Sequence, residues 1–122
     1  MRARRAGSEG QASVEFALLL PVAVLFVLAV VQVGVVVHER VMLTHAAREG
    51  ARVAAVGGSD AEVRAATVRA SGLDPDRLRV VVARRDGRVE VAISYSAVTD
   101  VALVGRLVGD PRLDARAVMR RE

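Results

Sequence analysis

Twenty-two consecutive residues, Phe16 to Val37, carry no charge and only one strongly polar side chain, Gln32. As an α-helix rising about 1.5 Å per residue, such a run covers roughly 33 Å, enough to cross the hydrocarbon core of a bilayer. In hydrocarbon every backbone N–H and C=O must be satisfied inside the segment, which a helix achieves and a lone strand does not. The competing reading is a cleaved secretory signal, whose apolar region is about 7–15 residues long and ends at a small-x-small site. Here Val35, Val36 and Val37 run directly into His38-Glu39-Arg40. The expectation is a retained transmembrane helix over 16–37, with Pro21 bending or fraying its early turns. Arg2, Arg4 and Arg5 on one flank are matched by Arg40, Arg48 and Arg52 on the other, so the positive-inside count is a tie.

What remains of the 122 residues can build one small domain. Only Phe16, Phe26 and Tyr95 are aromatic, so its core must be thin and made of Val, Ala and Leu. Helical periodicity continues from His38 to about Val56. Leu43, Ala46, Ala47, Gly50, Ala51, Val53 and Ala54 share one face, opposite His45, Arg48, Glu49 and Arg52. Small residues such as Ala47, Gly50, Ala51 and Ala54 let another backbone approach closely, so the stripe seats either the following domain or a neighbouring helix. Gly57-Gly58 stops this helix, and Ser59-Asp60-Ala61-Glu62 reads as a capping box opening a second helix that Gly72 ends. After the turn Asp74-Pro75-Asp76, a strand over Leu78 to Arg84 leads through Asp86-Gly87, a two-residue hairpin signal, into Val89-Val91-Ile93-Tyr95, which alternate with polar or small residues. Val98 to Val108 is apolar without a clear period and fits a short helix or a loop lying on the membrane surface. Leu113, Ala115, Ala117 and Met119 alternate again as a last strand. The expected fold class is α+β: a long N-terminal transmembrane helix extended past the membrane, then a small domain with a short helix and a three-stranded antiparallel sheet. The divisions are an irregular leader over 1–10, the helix over 11–56, and the domain over 57–122.

Side-chain chemistry argues for interaction over catalysis. The eighteen basic residues are all arginine and lie interleaved with fourteen acids. Nucleic-acid tracking needs a clustered basic face and stacking aromatics, so no nucleic-acid partner is expected. With no Cys there is neither thiolate nor Cys-based zinc site. His38 and His45 are two helical turns apart, too far to share a tetrahedral metal easily, and Glu39 and Glu49 complete no ligand set. Gly57-Gly58 follows a helix and lacks a P-loop's spacing and Lys, and Asp74 and Asp76 are explained by turn chemistry. No catalytic, cofactor-binding or metal-ligating residue is assigned, and no small-molecule substrate is expected. The rival from another class is a membrane-tethered hydrolase using Ser94 or Asp100 with His45, for which no second polar cluster converges.

One constellation remains. Glu15 places a carboxylate at the threshold of the apolar run, a position costing on the order of a few kcal/mol if it enters hydrocarbon. It is preceded by an arginine-bearing leader, Gly10 and four residues. Gly, four residues, Glu and a long apolar helix resemble the prepilin pattern. More narrowly, Gly10-Gln11-Ala12-Ser13-Val14-Glu15-Phe16-Ala17-Leu18-Leu19-Leu20-Pro21 resembles the opening of TadE-like pseudopilins of Flp tight-adherence pilus systems, and Ala46-Ala47-Arg48-Glu49-Gly50-Ala51-Arg52 is similar to the motif after their membrane helix. The close resemblance covers Gly10 to about Gly57. It implies cleavage between Gly10 and Gln11 by a prepilin peptidase, an assembly role for Glu15, and other pilin-like or pilus-assembly subunits as partners besides the lipid bilayer. It also implies a cytoplasmic N-terminus and an extracytoplasmic domain at the inner membrane. Gln11 stands where typical type IV pilins have an apolar residue, and Pro21 stands earlier than their helix-bending proline. Two further readings within this frame are an uncleaved anchor of the same assembly system and a DNA-uptake pilin.

Overall fold

The computed structural model describes residues 6–97, 106, 109 and 111–122. They form helix α1 (Ala6–Ala55), helix α2 (Asp60–Ser71), a 3₁₀ turn at Pro75–Arg77, and strands β1 (Leu78–Arg85), β2 (Arg88–Ser96) and β3 (Arg112–Arg120). The expected α+β architecture is therefore observed. The segment Val98 to Val108 lies outside the described residues except for Arg106. By contact density the chain divides into two units, Met1–Val33 and Gly34–Glu122.

In the first unit the apolar residues of α1 are almost all exposed, Phe16, Leu18 and Phe26 among them. A core helix of a water-soluble protein would bury such a surface. α1 is long and apolar enough to cross a membrane, with none of its most apolar window buried in the protein. The helix runs through Pro21 and begins at Ala6, so residues 6–10, expected to be irregular, are helical. Neither Gly7 nor Gly10 stops it, since a glycine costs only about 1 kcal/mol within a helix that is already propagating.

The second unit is built on the C-terminal part of α1. That helix ends in a Schellman motif: the N–H of Gly57 donates to the Ala54 carbonyl at 3.2 Å and that of Gly58 to the Val53 carbonyl at 3.0 Å. Gly57 takes φ +93°, the left-handed conformation for which a side chain is penalised. The remaining α1 carbonyl at Ala55 accepts from the N–H of Glu122 at 3.2 Å, so the chain's last residue closes the helix end. α2 starts in the expected capping box. The Glu62 N–H donates to Ser59 Oγ at 3.3 Å, and the Ser59 N–H donates to Glu62 Oε2 at 2.7 Å. That backbone hydrogen bond holds the Glu62 carboxyl below the usual carboxylate range. The cap therefore contributes fully above ordinary carboxylate pKa values and is lost as acid titrates Glu62 through its lowered value. Ser59→Ala is expected to destabilise the domain by about 1 kcal/mol, read as a lower urea midpoint at unchanged slope.

The three strands form an antiparallel meander in the order β1-β2-β3. Asp86 and Gly87 join β1 to β2 with φ of +47° and +70°, the type I′ geometry that matches the twist of a hairpin. Register then places Val80 beside Ile93 and Ala115, and Val82 beside Val91 and Ala117, on one face. That face packs on α1 and α2 to form a single core that includes Leu43, Ala47, Ala51, Ala54, Val63, Val89, Val91, Ile93 and Tyr95. Its open end is tied by Arg84, whose guanidinium pairs with Asp60 and donates to the Gly58 carbonyl at 2.9 Å.

Candidate functional site

Two stretches of α1 carry the residues singled out by sequence. The first is Gly10-Gln11-Ala12-Ser13-Val14-Glu15, a solvent-facing helical segment. Gln11 and Glu15 are one turn apart, and the Gln11 Nε2 donates to Glu15 Oε1 at 3.2 Å. Gly10 is notable for what it does not do. Its φ is not in the left-handed region, and a Cβ built there would meet nothing within 4 Å. Among the described residues neither backbone conformation nor packing asks for glycine here, although glycine is a poor helix residue.

The second stretch is the small-residue stripe. Ala46, Ala47 and Ala51 are fully buried and Ala54 nearly so, and all four belong to the domain's own core. At Gly50 α1 lies close against α2 and the sheet: a Cβ there would sit 2.2 Å from Thr67 Oγ1 and 3.3 Å from Val91 Cγ1. Of the two seats open to the stripe, the structure takes the following domain. His45, Arg48 and Arg52 point to solvent as expected, and Arg52 pairs with Glu49 at 2.5 Å.

Between the two stretches lies Glu39, which sequence reasoning set aside. It is partly buried, its Oε2 has no hydrogen-bond partner, and burial pushes its carboxyl above the usual range, opposed by His38. Tyr95 is likewise raised, by burial first and then by the Glu39 charge. The hydrolase constellation is not assembled: Ser94 belongs to the sheet face turned away from α1, His45 lies on the solvent side of α1, and Asp100 is outside the described residues. Among the described residues no three His, Asp or Glu side chains gather as a metal site.

Sequence reasoning also missed a gathering of arginines. Arg79, Arg85, Arg88, Arg112, Arg116 and Arg120, scattered along the chain, share the outer face of the sheet. The available signal was the polar half of the strand alternation, as in Arg112-Asp114-Arg116, but without the strand pairing it could not be read as one surface.

Residues 10–52 match a family model described as TadE-like protein, bearing out the resemblance drawn from the sequence. The match opens at Gly10 and closes at Arg52, so it covers the first stretch and the second as far as Arg52. No curated protein and no solved structure matches the chain.

Proposed function

We propose, from the premise that residues 10–52 are TadE-like, that this chain is a minor pilin-like component of a Tad-type pilus assembly system. In this reading a prepilin peptidase cuts between Gly10 and Gln11. Phe16 to Val37 anchors the product in the cytoplasmic membrane, N-terminus inside, and the domain over 57–122 stands outside. The chain acts by subunit contact and performs no chemistry of its own. The observation that carries the reading is Gly10: the family match begins there, and nothing in the fold calls for that glycine. Intact-mass measurement of the protein from native membranes tests it, with a chain starting at Gln11 expected.

A second reading, an uncleaved anchor of the same system, draws support from α1 itself. The helix starts at Ala6 and runs across the Gly10–Gln11 bond, so cleavage requires local unwinding at its N-terminal turns. A chain starting at Met1 in membranes that contain active peptidase would decide for the anchor.

Glu15 has a distinct role in the cleaved form. The new amino terminus at Gln11 lies one turn away, about 6 Å along the axis. In a low-dielectric setting an ammonium and a carboxylate offset each other's desolvation, whereas either alone is costly. The pairing terminus is its own or a neighbouring subunit's. Glu15→Ala is expected to leave cutting intact and to weaken co-purification with partner subunits. Normal recovery of partners by a correctly cleaved mutant would return Glu15 to the status of a headgroup-solvated interface residue.

A further inference from the structure

The outer face of the sheet has a charge pattern whose layout follows from strand register. At the hairpin end Arg85, Arg88 and Arg120 stand side by side across the three strands. At the other end Arg79 is paired with Ser94 and Ser94 with Asp114, and Arg112 is paired with Ser96. Between these ends Val81 adjoins Ala92, and Ala83 adjoins Glu90 and then Val118. Val81 and Val118 are 54% and 53% exposed, high for valines in a sheet. Arg116 pairs with Glu90 at 3.0 Å and is itself solvent-facing. On the outward strand positions six arginines stand with two carboxylates, Glu90 and Asp114, and Asp86 adds a third at the hairpin turn, so this face is net basic.

Each basic end is also concave. Arg77, Arg79 and Arg112 line one hollow together with Asp76 and the Ser94 and Ser96 hydroxyls, and Arg85 and Arg88 line another with Asp86, Glu90 and Val118. Guanidinium groups offer paired N–H donors that match a carboxylate, and hydroxyls add further donors.

We propose that this face docks an acidic protein surface, whose carboxylates pair with the arginines at both ends and whose apolar side chains cover Val81 and Val118. Charge complementarity selects the occupant. A second copy of the chain is disfavoured, because in a two-fold contact the three arginines of the hairpin end meet either each other or the net basic end of Arg79, Arg112 and Asp114. A nucleic acid is disfavoured because the face has no aromatic side chain for base stacking. A lipid surface is disfavoured because Val and Ala are not the aromatic anchors of a membrane interface. An apolar centre within an arginine-rich rim is the composition of a protein–protein contact. The inference rests on the proposed reading of the chain as a subunit that works by contact.

The test uses the full chain in its native membranes with a photo-crosslinking residue at Val118. Irradiation should give a discrete protein adduct whose crosslinked peptide is rich in Asp and Glu. The paired reversals Arg79→Glu with Arg112→Glu, and Arg85→Glu with Arg88→Glu, should each lower the yield at least about tenfold through like-charge repulsion. Arg64→Glu, on the exposed side of α2, should not change it. Reversing the captured carboxylates to Arg should restore the adduct to the reversed chain. If a reversal variant fails to fold, the corresponding Arg→Gln pair is read in its place, with a smaller loss expected. No protein adduct, an adduct to lipid or nucleic acid, or a yield indifferent to these charges overturns the proposal. If the captured acidic protein has no part in pilus assembly, the docking surface stands and the functional reading falls.

Discussion

Gly50→Leu is expected to lower the melting temperature of the domain by roughly 10–20 °C, corresponding to about 2–3 kcal/mol of overpacking in a domain of this size. The cause is local and specific. A Cβ alone would lie 2.2 Å from Thr67 Oγ1, so α1 and α2 must separate or Thr67 must turn. Thr67 is fully buried and its hydroxyl donates to the Val63 carbonyl at 2.7 Å, so turning it sacrifices a buried hydrogen bond. A leucine adds three more carbons towards Val91 in a core whose close packing leaves no room for them. A smaller change isolates the contact. In Gly50→Ala combined with Thr67→Ala the nearest remaining neighbours are Val91 Cγ1 at 3.3 Å and Thr67 Cβ at 3.5 Å, so the double variant should be more stable than the sum of the single effects predicts. Thermal melting and protease resistance of the detergent-solubilised chain measure both. Unchanged melting of Gly50→Leu would mean that α1 does not seat the domain through this stripe.

If a prepilin peptidase cuts after Gly10, as proposed, Gly10→Val is expected to abolish that cut while leaving the fold untouched. The two readouts separate because the position is exposed and a Cβ there meets nothing within 4 Å. Any loss of cleavage must then arise in recognition by the peptidase and not in the substrate's own packing. The check is the intact mass of parent and variant from the same membranes, with the parent starting at Gln11 and the variant retaining the first ten residues. A variant processed like the parent would remove the premise that a small residue is read at this site. A parent that itself starts at Met1 would favour the uncleaved anchor.

The elements that local chemistry dictates could be read directly along the chain. The apolar run at Phe16 to Val37 sets a helix because hydrocarbon leaves the backbone no other partner. Ser59 and Glu62 start α2 and Gly72 ends it, because their hydrogen bonds and left-handed φ span only a few residues. Asp86 and Gly87 give the hairpin, and with it the pairing of Val82 with Val91, because a two-residue turn leaves one register. The small-residue stripe was visible as a face, but not what it would meet, since the same periodicity suits a neighbouring helix or the chain's own domain. Tertiary packing made that choice by bringing Thr67 and Val91 onto Gly50. It also closed the domain with Arg84 on Asp60 and Glu122 on Ala55, and left Glu39 Oε2 buried without a partner. The arginine face is the clearest case. Each of its residues had a legible strand position, but only the pairing of β3 with β2 sets Arg120 beside Arg88, and pairing across an intervening stretch of chain is a long-range choice that no local pattern encodes.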